Sequence, residues 1–248
     1  MTNIRFIDKL NRKIIVVGHY GSGKTEFSVS LAMLFATVKT QNNSEYINSQ
    51  NNNCSHDYTE HAIVDLDIIN PYFRSREKRE MLLEHGIHVY GSAFNTEVTA
   101  ELPALGADVR TPLENNSCRV IVDTGGNDSG ALPLNQFSKY FTDDTTVLAV
   151  VNSNRPNTGT IEGAIEHVKS IEKITNLHIS GIVNNTHMMQ HTTADDIIFG
   201  HEFCEKICKL TDKELYFNCY PQGLVDPNEL VNLSGELIPL GQYMNSSS

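Results

Sequence analysis

The run Gly18-His19-Tyr20-Gly21-Ser22-Gly23-Lys24-Thr25 sets glycines, a lysine and a threonine at the spacing G-x-x-x-x-G-K-[ST]. That spacing suits the cradling of a polyphosphate. Gly18, Gly21 and Gly23 admit backbone angles closed to other residues, so successive N–H groups can turn toward one anion while a new helix adds its positive end. Lys24 is placed to reach β/γ oxygens and Thr25 to offer its hydroxyl to Mg²⁺. A glycine-rich turn that binds nothing would not need all the fixed positions together with both flanks.

A second set of residues is acidic and sits at strand ends. His61-Ala62-Ile63-Val64-Asp65-Leu66-Asp67 reads as a buried strand closing on two carboxylates two residues apart, hence on one side of the strand. Arg119-Val120-Ile121-Val122-Asp123-Thr124-Gly125-Gly126 is another buried strand ending in an Asp and two glycines, the Walker-B pattern. Such positions meet the phosphates in an open α/β sheet. Asp67 is expected to orient an in-line water and Asp123 to hold the metal, with Lys24 and Mg²⁺ neutralising charge on the γ-oxygens. Asp65 has two readings, a metal ligand or a buried carboxylate holding loop N–H groups. Arg74 and Arg155 follow strands at the same edge and are either phosphate cations or surface charges.

The elements that must position these groups follow from periodicity. Ile14 to Val17 is a short β-branched run, and Glu26 to Ala36 reads as the helix after the loop. Residues of about 40–60 are polar and Asn-rich and are expected to form a surface loop, mobile on its own. Further strands are expected at His88–Tyr90, Thr146–Val151, His178–Val183 and Leu215–Cys219. Helices are expected at 75–85, 131–140, 160–174, 194–210 and, last, 226–240. The helix at 160–174 carries Ile161, Ala164, Ile165, Val168 and Ile171 as a core-facing stripe. The stretch 94–114, with Glu101 to Leu105, is a short helix or an ordered loop. Alternating strands and helices predict an α/β fold, a mostly parallel sheet with helices on both faces, in a single domain spanning 1–248.

Composition sets the boundaries. With 248 residues and a net charge of −11 the surface repels phosphate backbones, so no nucleic-acid partner is expected. No apolar run is long enough to span a membrane and no leader is evident, which predicts a soluble, cytoplasmic protein. The five cysteines lack C-x-x-C spacing and suit reduced thiols.

With these motifs in order, the chain resembles P-loop NTPases of the CobQ/CobB/MinD/ParA type, including dethiobiotin synthetase. The strings Val64-Asp65-Leu66-Asp67-Ile68-Ile69-Asn70-Pro71-Tyr72-Phe73-Arg74 and Gly181-Ile182-Val183-Asn184-Asn185-Thr186-His187 resemble a bacterial group of ATP-binding proteins without an established role. The resemblance implies ATP and Mg²⁺ as cofactors. It implies a nucleotide-binding set of Gly18, Gly21, Ser22, Gly23, Lys24, Thr25 and Glu26, with Gly125 or Gly126 giving an N–H to the γ-phosphate. Thr25, Asp65, Asp67 and Asp123 fall around the metal, Asn184 or Asn185 at the purine, and Pro221 in a loop over the base. It implies Lys24 and Asp67 as the catalytic pair.

One departure is His19, which stands where partition ATPases carry a second lysine that reaches across a dimer. An imidazole is a poor substitute for a permanent cation. A monomer or a homodimer is expected, and the departure counts against a dimer built on a trans-acting lysine. The loop is also similar to that of nickel-chaperone GTPases, but Asn184-Asn185-Thr186-His187 lacks a carboxylate to pair with guanine, which favours adenine.

Three functions fit. The first is an Mg-dependent ATPase switching a conformation or an assembly, with a protein partner. The second is a ligase-type enzyme activating a small carboxylate. The third is a nucleotide-dependent binding module. His201, Cys204 and Cys208 on one helix face, or His187 with His191, would turn the first toward a metallochaperone if they held a soft metal, though core packing explains the cysteines equally.

Overall fold

The computed structural model describes residues 9–45, 58–67, 75–91 and 107–244. Eight strands lie in one sheet: β1 Lys13–Gly18, β2 Glu60–Asp65, β3 Ile87–Gly91, β4 Cys118–Asp123, β5 Thr145–Val151, β6 Gly181–Asn184, β7 Glu214–Pro221 and β8 Glu236–Leu240. Their order is β3-β2-β4-β1-β5-β6-β7-β8, and every neighbouring pair is parallel. Parallel sheets need both faces covered, which is why β1 and β4 are buried at every residue.

The two faces are filled by alternate residues. Ile15 and Val17 of β1 join Val109, Leu113, Leu134, Phe137, Ala164, Val168, Ile171, Phe203 and Ile207 on one side. These come from α3 Ala107–Glu114, the 3₁₀ turns at Leu132–Tyr140, α5 Ile161–Thr175 and α6 Ala194–Thr211. Ile14 and Val16 pack on the other side with Phe27, Leu31 and Phe35 of α1 Lys24–Glu45 and with Leu82 of α2 Arg79–Glu84. Caps fix where the helices begin. Thr160 accepts from the Gly163 N–H ahead of α5, and Thr193 and Asp196 form a reciprocal capping box on α6.

Three expectations are corrected. The helix α1 does not stop before the Asn-rich stretch but runs on to Glu45, because each residue added to a nucleated helix gains a backbone hydrogen bond; residues 46–57 lie outside the described residues. The helix expected at 131–140 is a short α4, Asn127–Ala131, followed by 3₁₀ turns through Tyr140 with Pro133 near their start. The last helix is absent. Residues 226–240 form a 3₁₀ turn at Pro227–Leu230 and then β8, which pairs with β7. Gly235 sits at φ 80 and breaks the helical path, and Pro239, which lacks an N–H, is tolerated on an edge strand. The expected turn at Asn70–Arg74 and the stretch Glu101–Leu105 lie outside the described residues. Among the described residues, no helix is long and apolar enough to cross a membrane.

Candidate functional site

Strand order reverses at β1, whose neighbours are β4 and β5, and ligands of open α/β sheets bind at the carboxyl ends of such a switch point. The loop between β1 and α1 occupies that position. A side chain at Gly18 would come within 2.4 Å of the Val150 carbonyl, and Gly23, at φ 84, would place a Cβ 2.3 Å from the Asn185 amide. Neither position admits another residue without moving its neighbour.

The loop is braced through its carbonyls. Arg155 Nε donates to Gly21 O at 2.7 Å and Asn185 Nδ2 donates to Ser22 O at 2.7 Å. Lys24 Nζ and the Ser22 N–H both donate to His19 O, each at 3.1 Å. Arg155 and Asn185 thus pin two consecutive peptides of the loop, while the Ser22 N–H is engaged by His19 O.

Three carboxylates stand at or just beyond the ends of β2 and β4. Asp65 and Asp123 are register partners on β2 and β4. Asp123 is fully buried; its Oδ1 accepts from Ser28 Oγ at 3.2 Å, while its Oδ2 is buried without a hydrogen-bond partner. Burial first, and then the Asp65 charge, push its carboxyl up to about 7, with Lys24 and the Thr25 hydroxyl pulling the other way. Burial likewise lowers the Lys24 ammonium, against the attraction of Asp123 and Asp67. Asp65 accepts the Asp67 N–H at 3.0 Å, and of these two it is Asp67 that lines the cavity. Asp65 thus holds the backbone of the residue that carries the Asp67 side chain.

The cavity has a volume of about 330 Å³. It is lined by Gly21, Gly23, Lys24 and Thr25 of the loop and the start of α1, with Asp67, Gly126 and Arg155. Its lining also includes Asn185, Thr186 and His187 after β6, Cys219 and Pro221 at the end of β7, and Leu240, Gln242 and Met244. Gly126 packs so closely on the loop that a Cβ there would lie 2.6 Å from the Tyr20 backbone nitrogen. His187 is held down to about 4, by burial first and then by Arg155.

The expected site residues come together with exceptions. Asn184 turns away from the cavity: its Nδ2 donates to Ile197 O and to Asn218 Oδ1, both at 3.0 Å, in a buried network that also holds His201 Nδ1 at 3.1 Å. Adjacent strand residues face opposite ways, so only Asn185 is left to meet a ligand. Pro221 lines the cavity as the last residue of β7 rather than from a loop beyond the last strand. His201, Cys204 and Cys208 do not form a metal site, since both thiols sit in the core with burial raising them, and among the described residues no three His, Cys, Asp or Glu side chains are placed to hold a metal. Arg74 lies outside the described residues. Sequence reasoning missed Leu240, Gln242 and Met244, whose signal was Pro239: a proline marking an edge strand delivers the next residues to the same sheet edge as the phosphate loop.

His19 is spent within its own chain. Its Nε2 meets Asn157 Nδ2 at 3.1 Å, its Nδ1 meets Tyr20 O at 3.1 Å, and its ring stands edge-on to His167 with centroids 5.3 Å apart.

The residues present fit Mg²⁺. A hard cation takes oxygen ligands, and Mg²⁺ usually needs only one or two from protein beside phosphates and water. Thr25 supplies a hydroxyl, and the orphaned Asp123 Oδ2 is a buried carboxylate oxygen in need of a cation.

No family model matches the chain, and no curated protein matches it. Solved structures do. FtsY from Mycoplasma mycoides aligns over 87% of this chain and 63% of its own, at 16% identity and a TM-score of 0.51. The cell division protein FtsY from Thermotoga maritima aligns over 82% and 60%, at 17% identity and a TM-score of 0.49. The signal recognition particle 54 kDa protein from Aeropyrum pernix in complex with GDP aligns over 82% and 40%, at 20% identity and a TM-score of 0.47. The chain thus spans less than two thirds of the length of these structures. At such identities the likeness is one of fold: the chain has the α/β fold of P-loop NTPases. None of these neighbours is of the CobQ/CobB/MinD/ParA type, so that narrower resemblance rests on sequence motifs alone.

Proposed function

We propose that this chain binds ATP with Mg²⁺ and hydrolyses it to ADP and phosphate, as a switch acting on a protein partner. The observation that carries the reading is the convergence of Lys24, Thr25, Asp67 and Asp123 on a braced glycine loop at the sheet's switch point. Lys24 neutralises charge on the γ-oxygens, and the loop amides hold the β-phosphate in line. Asp67, whose backbone is fixed by Asp65, orients the attacking water. Bound Mg²⁺, held by Thr25 and Asp123, would supply further charge neutralisation.

Adenine is favoured over guanine on the base side. Asn185 spends its Nδ2 on Ser22 O, which leaves Oδ1 as an acceptor for an exocyclic amino group. The carboxylates lining the cavity among the described residues are Asp67, which this reading gives to the attacking water, and Glu26, whose two oxygens accept backbone amides from residues 243 and 244. Among the described residues no carboxylate is therefore left to take the two donors of guanine.

Phosphate release from ATP and from GTP with Mg²⁺, with no acceptor added, tests the reading. Turnover with ATP is expected, falling about 100-fold or more in Lys24→Ala and in Asp67→Ala. Release only with GTP would overturn the base assignment and keep a triphosphatase. Release only on adding a small carboxylic acid would favour the ligase-type reading.

A further inference from the structure

Beyond β8 the chain lines the cavity and is tied to the first turns of α1. The Gly241 N–H donates to Ser30 Oγ at 3.1 Å, and Ser30 Oγ donates to Glu26 Oε1 at 3.2 Å. The Tyr243 N–H donates to Glu26 Oε1 at 2.9 Å and the Met244 N–H to Glu26 Oε2 at 2.8 Å. Both oxygens of a carboxylate one residue beyond Thr25 thus hold this segment in place. Leu240, Gln242 and Met244 line the cavity, while Tyr243 packs with the core on the α1 face of the sheet.

Gln242 lies between these anchors with φ 55, the left-handed region that residues other than glycine enter rarely. A residue held there persists because its surroundings over-determine it, and such residues gather at ligand clamps. Asn185 and Gln242 are the side-chain amides lining the cavity among the described residues. An amide offers a donor and an acceptor in one plane, the complement of adenine's amino group and adjacent ring nitrogen.

We propose that Gln242 reads the edge of the nucleotide base and that Glu26 is a positioning residue which sets it there, clamping the segment to the helix that begins at the phosphate loop. This rests on the nucleotide reading above. It adds a specificity residue and links the base contact mechanically to the turn that carries Lys24 and Thr25. A carboxylate at 242 would be acceptor-only: it would complement the N1–H and amino donors of guanine and repel the lone pair of adenine N1.

The test is equilibrium titration of the full chain with ATP, GTP and inorganic tripolyphosphate. Gln242→Glu is expected to move the ATP:GTP affinity ratio toward GTP by about tenfold or more. Gln242→Ala and Glu26→Ala are each expected to weaken ATP by about tenfold while tripolyphosphate, which has no base, stays within about twofold. A ratio unmoved by Gln242→Glu, in a protein that melts as the native one does, would overturn the assignment of Gln242. Loss of tripolyphosphate in parallel with ATP in Glu26→Ala would show a merely structural role and overturn the positioning claim. Native protein that binds none of the three ligands would instead overturn the nucleotide reading, so the two failures are distinguishable.

Discussion

Asp123 holds the most demanding position in the site, since it is wholly buried and its Oδ2 has no hydrogen-bond partner. Burial and the Asp65 charge raise its carboxyl from an ordinary 3.8 to about 7. Between about 4 and 7 the folded chain therefore keeps a proton that the unfolded chain has lost. The folded state binds more protons there, so this group's contribution to stability is greatest below the window and declines as pH rises through it. Cation binding has the opposite sign, because the metal needs the carboxylate. Affinity for Mg²⁺ with nucleotide should rise from pH 6 to pH 8 and level off above, and Asp123→Asn should abolish that rise. Thermal melts should show Asp123→Asn gaining on the native protein as pH increases over the same range. A native Mg²⁺ affinity flat across this interval would mean that Asp123 is already ionised and paired at pH 6.

At the scale of elements, the loops after β5 and β6 act on the phosphate loop rather than on solvent. Arg155 from one and Asn185 from the other hold consecutive carbonyls, those of Gly21 and Ser22. A hydrogen bond from a charged donor contributes about 1.5–3 kcal/mol, so Arg155→Ala should weaken nucleotide binding about ten- to hundredfold. Arg155→Lys should rescue little, because an ammonium does not reproduce the planar guanidinium. Asn184→Ala is the contrast. It removes a buried amide from the Ile197 and Asn218 pairings and should cost about 1–3 kcal/mol of stability in a denaturant melt, while Asn185→Ala should act mainly on nucleotide affinity. If Asn184→Ala and Asn185→Ala shifted stability and affinity alike, the division of labour between these neighbours would be wrong.

That pair also marks how far the sequence could be read. The β1 run, the glycine loop, the Asp123 strand and the α5 stripe were legible because long β-branched runs, fixed glycine spacing and 3.6-residue periodicity each admit one good solution. Which of Asn184 and Asn185 faces the ligand was not, since it depends on where a strand's last peptide points. The segment 226–240 misled because Leu230, Leu233 and Leu237 are spaced like a helix stripe and do pack in one cluster. Gly235 and Pro239 decide against the helix, and with the helix went Gln242 and Met244 as wall residues.

Across the whole molecule, the question is whether two copies meet over the nucleotide. The position that would reach across such an interface is His19, and its ring is held by Asn157 and His167 of its own chain. Its neighbour His167 is pushed down to about 4, by burial first and then by His19, so His167 is neutral at neutral pH. Two chains of net charge −11 would also approach against their own repulsion, with no lysine at this position to offset it. Nucleotide should therefore leave the mass unchanged. Sedimentation of Asp67→Ala, chosen to hold Mg·ATP unhydrolysed, should give a species of 27.7 kDa with and without nucleotide, at both low and high salt. A doubling of mass on adding Mg·ATP would require His19 to leave Asn157, and His19→Ala would then have to abolish it. A doubling that survives His19→Ala would place the contact elsewhere on the sheet's carboxyl edge.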